Sequence, residues 1–496
     1  MDYLIDNVQI TDLVQIFKLG AFIVLTYLVI SVVFAPSNFP KNIPTIPFYV
    51  SFLGTYTSMD QKDIYDKYLK EKLEKHGAVK IFFASRWNIL VTRPEYLAQV
   101  FKDESTFAKS GNHEKIPYAV LSDYTGDNVI SSHGEIWRQY RNIITQSIQF
   151  PELNPVIKNT EKFVHFLKYA IGDDKHFKTL AVGDFLQRLA LANIGNSMLG
   201  INFNTLDIEE DSELHKRLKS VKAQIFKPLF MNFPILDILP IPSRIEARKE
   251  VANFRKYLSN KIKEEQEKSE TKNSAAFKLY LSLKRGEITE KQFTDNIVII
   301  LVAGHENPQL FFTSLIYIMA KYPKIQKKLR KKFKNYSFDR LDEISFLNSV
   351  LFETLRLFPP LGQIINRKTS RDVLLGSDIH IPKNTYVGYN NFVTGRDSAY
   401  WGKDSNEFRP ERWGVSNDEI FKNYKISKVY SRLSAFHGGR RACLGERFAL
   451  YEARVFLKYL LENFTVRLDS SWNDRLTPAG PICPFMLKVK FLKIVD

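Results

Sequence analysis

Cysteine is nearly absent: Cys443 and Cys483 are the only two in 496 residues. Two cysteines form neither a disulfide framework nor a paired-cysteine zinc site, and such usage suits a reducing compartment. The chain also lacks G-x-G-x-x-G and Walker loops, so it cannot hold its own nicotinamide or flavin by those means. No internal repeat, low-complexity block or Gly/Ser linker divides it. Acidic residues are outnumbered, 54 against 71 Lys and Arg, for a net charge of +17. Such an excess suits nucleic acid, an anionic membrane surface or an acidic protein partner. The basic residues are scattered and no nucleic-acid-binding motif accompanies them, so nucleic acid is the weakest of the three. The densest run is Lys327, Lys328, Arg330, Lys331, Lys332 and Lys334, either a solvated helix face or a docking surface.

What is present is a large apolar content, 44% hydrophobic and 13% aromatic, enough for a substantial core. Leu19–Phe34 is almost continuously apolar and, with Val14–Phe17, approaches the ~20 residues that cross a bilayer. Asp2, Asp6 and Asp12 replace the basic start of a cleaved signal peptide, and positive charge begins at Lys41. This predicts an uncleaved anchor with the body in the cytosol, where the sequons at Asn335 and Asn463 stay unglycosylated. Pro36, Pro40, Pro44 and Pro47 end the helix in a stiff, extended segment. The expected organisation is therefore an anchor at 1–35, a proline-rich hinge at 36–48 and one catalytic domain at 49–496. In the body a helix is expected near Asp60–His76, then strands at Val79–Phe83 and Ile89–Val91. Helices dominate from Ile136, and strands return near Ile379–Val387 and Phe485–Phe491, giving a mainly α protein with a minor β portion. The apolar, proline-broken stretch Ile225–Pro242 fits either a buried connection or a second membrane contact.

Cys443 stands in Phe436-His-Gly-Gly-Arg-Arg-Ala-Cys-Leu-Gly445, before a helical run through Glu446–Leu461. A lone cysteine is ordinarily a small buried hydrophobe. Here two arginines and a helix N-terminus favour the thiolate and predict a lowered pKa. The glycines, Gly438, Gly439 and Gly445, let backbone approach a flat ligand. A thiolate so held is an axial ligand for haem iron.

The second informative stretch is Glu290–Lys321. Thr289 and Gln292 make a capping box and Pro323 a stop, predicting a helix of about 48 Å at ~1.5 Å per residue. In its middle stands Ala303-Gly304-His305-Glu306-Asn307-Pro308. A zinc-protease reading fails, because Gln309 stands where the second histidine belongs. Pro308 has no N–H for the Gly304 carbonyl, so an open turn is expected, with Gly304 leaving room for a small molecule and Glu306 beside it. Further on come Glu353-Thr-Leu-Arg356, an acid and a base on one helical face, and Phe408-Arg-Pro-Glu-Arg412-Trp413. Trp137 and Arg141 are likewise one turn apart.

In this order the motifs resemble the cytochrome P-450 family: W-x-x-x-R, the central-helix kink, E-x-x-R, P-E-R and F-x-x-G-x-R-x-C-x-G. The resemblance covers nearly the whole chain. It implies the family's fold, haem b bound through Cys443, and electrons from a separate NADPH-dependent reductase. It implies that Phe436, Gly439 and Gly445 shape the ligand loop and that Trp137, Arg141, Arg367 and Arg441, with His133 beside them, meet the haem propionates. Glu353, Arg356 and Arg412 become a buried ionic cluster beneath the haem. Gly304, Glu306 and Asn307 become the oxygen-side catalytic group, with Asn307 where the family usually has threonine. Substrate-lining residues are implied within Gly111–Asn128, Val302–Asn307 and Leu361–Asn366.

Gly304-His305-Glu306-Asn307, Phe39-Pro-Lys-Asn-Ile-Pro44 and Arg356-Leu-Phe-Pro-Pro-Leu361 look like the fungal dityrosine-forming branch of that family. This implies an endoplasmic-reticulum oxidase that couples two N-formyl-tyrosines through their rings for a spore wall. Two other expectations stand beside it: a monooxygenase hydroxylating a lipid or other apolar compound, and a haem-binding protein without turnover.

Overall fold

The computed structural model describes residues 10–172, 177–268 and 273–494. Asp2 and Asp6 lie outside them. Around the central helix, Glu290–Lys321, the other helices assemble. It starts as expected: Gln292 N donates to Thr289 Oγ1 at 3.2 Å and Thr289 N to Gln292 Oε1 at 2.8 Å. It is buried on nearly every side on both flanks of its middle, because residues such as Phe293, Ile297, Leu301, Phe312 and Leu315 are apolar all round the helix, while Val302, Ala303, Gly304 and Asn307 are only half-buried. Pro323 does not merely stop it but opens the next helix, Pro323–Phe333, at a position where a missing N–H costs nothing.

Two partners set the cavity. The helix Gly183–Ile194 packs along the central helix, and a Cβ on Gly304 would lie 2.1 Å from Ile194 Cδ1. Gly304 therefore permits close helix contact, and the room expected at its missing side chain is occupied by Ile194. The second partner is Glu446–Asn463, which carries the cysteine loop at its N-terminus and buries Val455, Phe456, Leu457 and Leu460. The helix runs unbroken through Pro308, where an open turn was expected.

The β portion lies beside this bundle. Its five-stranded sheet runs in the order Ala78–Phe83, Arg86–Val91, Tyr386–Asn390, Gln363–Thr369, Phe107–Lys109. All its pairings are antiparallel except Arg86–Val91 with Tyr386–Asn390. The expected strand Ile379–Val387 is two strands, because Asn384 turns the chain at positive φ. The last strand is Lys488–Lys493 rather than Phe485–Phe491, paired with Phe464–Leu468 and Lys178–Ala181. The helix expected over Asp60–His76 is three consecutive pieces with a π-helical turn at Tyr65–Leu69.

Before the body stands the helix Ile10–Val33, whose 19 residues Gln15–Val33 have a mean hydropathy of 2.3 and stand clear of the protein except at the last turn, where Val32 packs on the body. This helix fits a membrane anchor by length and composition. The proline segment after it is not a free hinge. Lys80 N donates to Pro44 O and Ile46 N to Lys80 O, both at 2.9 Å, and Phe39, Ile43 and Ile46 are buried. The stretch Ile225–Pro242 folds into two short helical turns, Pro228–Asn232 and Pro234–Ile238, with Phe226, Leu229, Ile235, Ile238 and Leu239 exposed. It is not a buried connection. Phe233 stacks on Phe52 of the N-terminal region, at 5.4 Å.

Candidate active site

A cavity of about 310 Å³ lies between the central helix and the cysteine loop. Ala303, Gly304, Asn307 and Pro308 line it on one side, and Phe436, Cys443 and Gly445 on the other. The loop is held by its backbone: Cys443 N donates to Phe436 O at 2.9 Å. His437 and Gly439 take φ of +65° and +63°. At Gly439 a Cβ would also meet Phe101 O at 2.6 Å, so both conformation and space demand glycine there.

Cys443 has its exposed surface on this cavity. The expected fall in its pKa is not found. Burial pushes the thiol up, more than the Gly445 N–H, Arg141 and Lys428 pull it down, and Glu446 adds to the rise. A metal bound at this sulfur would deprotonate such a thiol outright. Cys483 is buried and its thiol is raised to about 12, as for an inert core cysteine. Among the described residues no three His, Cys, Asp or Glu side chains are placed to hold a bare metal ion.

Basic and aromatic side chains gather at one end of the cavity. Arg441 lies over the Trp137 ring at 4.2 Å and donates from Nη2 to Ser132 O at 2.6 Å. Its Nη1 is 3.2 Å from Glu104 Oε1, without the alignment of a hydrogen bond. Burial lowers the Arg441 pKa to about 9. Arg141 reaches Ala442 O from both terminal nitrogens at 3.4 Å, next to the cysteine. Arg367, fully buried, donates from Nη1 to Phe107 O at 3.1 Å, and its Nη2 is 3.2 Å from His437 Nε2. Burial, then Lys109, Arg367 and Arg441, hold the His437 pKa well below its usual value, so the ring is neutral.

Three buried donors at this end have no hydrogen-bond acceptor: Trp137 Nε1, Arg367 Nε and Arg441 Nη1. Buried donors are rarely left unpaired, and guanidinium groups in this state suit a ligand carrying carboxylates. A single thiol among glycines and an apolar wall complete the site. The family model for cytochrome P450 matches residues 40–490. The chain belongs to the cytochrome P450 family.

Its cofactor is accordingly haem, and the orphaned donors beside Cys443 fit that group. This P450 is 48% identical to cytochrome P450-DIT2 of Saccharomyces cerevisiae, over 97% of the chain and 99% of the relative. It is 34% identical to cytochrome P450 monooxygenase xanG of Aspergillus fumigatus, over 88% of the chain and 85% of the relative. Among solved structures it is similar to a retinoic-acid-bound cyanobacterial CYP120A1, with a TM-score of 0.68 at 20% identity, covering 86% of this chain and 94% of that one. The members support an enzyme, a P450 oxidoreductase.

Of the residues singled out from sequence, Cys443, Phe436, Gly445, Arg441, Trp137, Arg141, Gly304 and Asn307 line the cavity. Arg367 stands directly behind it through His437. His133 does not reach it; its ring is exposed, with Nδ1 3.9 Å from Glu104. Glu306 turns to Lys222 Nζ at 2.7 Å, and Lys222 also meets Nε2 of the buried His305 at 3.2 Å. Asn307 donates to Ala303 O at 3.3 Å, leaving its Oδ1 without a donor from the protein.

Glu353, Arg356 and Arg412 meet in a fully desolvated cluster. Arg356 Nε and Nη2 donate to the two Glu353 oxygens at 2.8 Å, and Arg412 Nε donates to Oε1 at 2.9 Å. Trp413 Nε1 and Arg409 N donate to the same carboxylate at 3.1 and 2.9 Å. Arg356 spends its other donors on Gly395, Ser405 and Glu407 carbonyls.

Two cavity features had no sequence signal: Lys109, buried on the wall, and Glu452, whose buried carboxyl has no hydrogen-bond partner for either oxygen; Asn366, at the end of the expected substrate-lining stretch Leu361–Asn366, lines the cavity with an unpaired Oδ1. Burial raises the Glu452 pKa well above the carboxylate range, so it is neutral. The basic run divides. Lys327, Lys331 and Lys334 are exposed, but Arg330 is structural, donating to Leu461 O at 2.6 Å and Phe464 O at 2.8 Å. That places it at the far end of Glu446–Asn463, about 27 Å along the helix from the cysteine loop. Exposed basic residues flanking Cys443 in the chain are Arg440 and Arg447, and Arg138, paired with Glu135, is exposed on the helix that carries Trp137 and Arg141.

Proposed function

We propose that this P450 couples two N-formyl-tyrosines into N,N'-bisformyl dityrosine. The observation that carries the reading is Gly304-His305-Glu306-Asn307, with Asn307 on the wall of the cavity that Cys443 lines. That run resembles the dityrosine-forming fungal members, and the near-full-length likeness to P450-DIT2 supports it. Haem bound through a thiolate supplies activation of dioxygen by electrons from outside the chain. The balance of the reaction is that each phenol loses one hydrogen atom and the ring carbons join. Those two hydrogens, two protons and two electrons from an NADPH-dependent reductase reduce one dioxygen to two waters.

The residues divide this work. Cys443 would hold the iron, and Trp137, Arg141, Arg367 and Arg441 would take the propionates. Phe436, Gly439 and Gly445 keep the loop in shape. The Ile299, Ile300, Val129 and Ile364 side chains exclude water and give the phenol rings an apolar slot. Asn307 Oδ1 orders a proton donor on the oxygen side. Glu306 is held by Lys222 at the outer face of the same turn, where it passes protons inward. Arg138, Arg440 and Arg447 form the electron-receiving face for an acidic reductase surface. The N-terminal helix anchors the domain at the endoplasmic-reticulum membrane, and the exposed apolar side chains of 226–239 make a second contact with it.

The test is to supply N-formyl-tyrosine, NADPH and a P450 reductase and to weigh the product. A dimer lacking two hydrogens supports coupling. A product gaining one oxygen supports hydroxylation, and no NADPH consumption with any substrate supports haem binding without turnover.

A further inference from the structure

The end of the cavity where the cations gather carries more positive charge than a haem balances. Lys109, Arg141, Arg367 and Arg441 meet there, and the one carboxylate among them is Glu104. The two propionates of a haem leave one positive charge over. Among the described residues only Arg441 of the four has a carboxylate within ion-pair distance, and with the propionates given to Arg141 and Arg367 the cation left over is Lys109: it is buried, it lines the cavity, and the strand Phe107–Lys109 sets it across from Arg367. Like charges directly opposite on neighbouring strands destabilise each other unless an anion lies between. Burial, then Arg367 and Arg441, hold the Lys109 pKa well down, so its charged form is the one that an anion placed beside it brings back.

Asn366 stands next to this pair. The pairing of Gln363–Thr369 with Tyr386–Asn390 jumps from Ile365 with Gly388 to Arg367 with Val387, so Asn366 is the extra residue of a bulge. Bulges re-aim side chains beside active sites. Asn366 lines the cavity with a buried Oδ1 that accepts no hydrogen bond, and its backbone oxygen accepts from Ser110 N at 3.0 Å, which ties it to the Lys109 strand. Much of the remaining wall is apolar, with Val129, Ile130, Ile300 and Ile364 among its side chains.

A cation and an unpaired acceptor before an apolar slot match an N-acylated aromatic amino acid. We propose that Lys109 takes the α-carboxylate of the substrate and Asn366 Oδ1 accepts its formamide N–H, a subsite that rests on the coupling reading above. The subsite selects for an amino-acid head and turns the phenol toward Cys443 and Asn307.

The test is calorimetric titration of the haem-loaded, full-length protein, with the haem spectrum as a second readout. Four probes share one phenol: N-formyl-tyrosine; N-formyl-tyramine, without carboxylate; 3-(4-hydroxyphenyl)propanoate, without formamide; and 4-ethylphenol, with neither. In the wild type, loss of the carboxylate is expected to weaken binding about ten- to hundredfold, as for a charge-assisted hydrogen bond. Lys109→Gln brings N-formyl-tyrosine down to the level of N-formyl-tyramine and leaves the latter unchanged, and Lys109→Arg restores part of the loss. Asn366→Leu weakens only the two formamide probes. The proposal is overturned if Lys109→Gln weakens all four probes alike or only releases haem, or if the wild type ignores the carboxylate. Coupling that survives unchanged in Lys109→Gln sinks the subsite alone. The probe pattern without any coupled product sinks the coupling reading alone.

Discussion

Replacing Glu353 by Gln removes one charge and almost no volume from the deepest ionic cluster of the protein. Glu353 and Arg356 are both 0% exposed, and the carboxylate accepts from five donors supplied by Arg356, Arg409, Arg412 and Trp413. With Gln there, Arg356 keeps only carbonyl partners, and Arg412 keeps Asp404 at 3.3 Å as its one carboxylate. A buried ion stranded in this way costs about 3–5 kcal/mol, a large part of the about 5–15 kcal/mol that holds a protein folded. The urea slope of a chain this long exceeds the about 3 kcal/mol/M of small proteins, so the midpoint falls by up to about 1 M. The assay is urea unfolding of the haem-loaded protein, followed by circular dichroism and by haem absorbance. Glu306→Gln is the control: its pair with Lys222 is partly solvated and worth about 1 kcal/mol or less. The reasoning fails if Glu353→Gln moves the midpoint no more than Glu306→Gln does and keeps its haem.

Other outcomes follow from single sites. The His305 pKa is held well below its usual value, chiefly by burial and then by Lys222. The unfolded chain therefore takes up a proton that the folded one refuses. Stability is full above about pH 6.5 and falls on acidification by up to about 1.4 kcal/mol per pH unit. His305→Gln should lessen that acid slope by one proton's worth in unfolding measured from pH 7 to 5. Deleting residues 1–30 should loosen the protein from the membrane fraction, leaving only the weaker contact through 226–239, with an unchanged haem spectrum; Ser31 is kept because its carbonyl accepts from Trp87 Nε1 at 3.1 Å. Cys443→Ser should abolish the thiolate-type absorption of the reduced, CO-bound protein. Asn307→Thr should change the ratio of NADPH consumed to dimer formed, and an unchanged ratio removes Asn307 from the account.

The central helix was legible because both ends carry local chemistry, the Thr289–Gln292 box and Pro323. The cysteine loop was legible because its spacing is dense in residues with one physical use each. Lys109 was not, since a three-residue strand has no readable period and its meaning comes from Arg367, far along the chain. The pKa of Cys443 was misjudged because a helix terminus and arginines are visible in sequence while burial, the larger effect, is not. The same limit applies to 225–242, where an apolar, proline-broken run reads alike whether its side chains face the core or the outside. The basic run looked uniform in sequence, yet the fold turns Arg330 inward and carries the whole run away from Cys443.

The most direct test of the central claim is turnover of N-formyl-tyrosine under ¹⁸O-labelled dioxygen with a P450 reductase and NADPH. The account predicts a dimer lacking two hydrogens and carrying no label, with the label recovered in water. A labelled, hydroxylated monomer would contradict it.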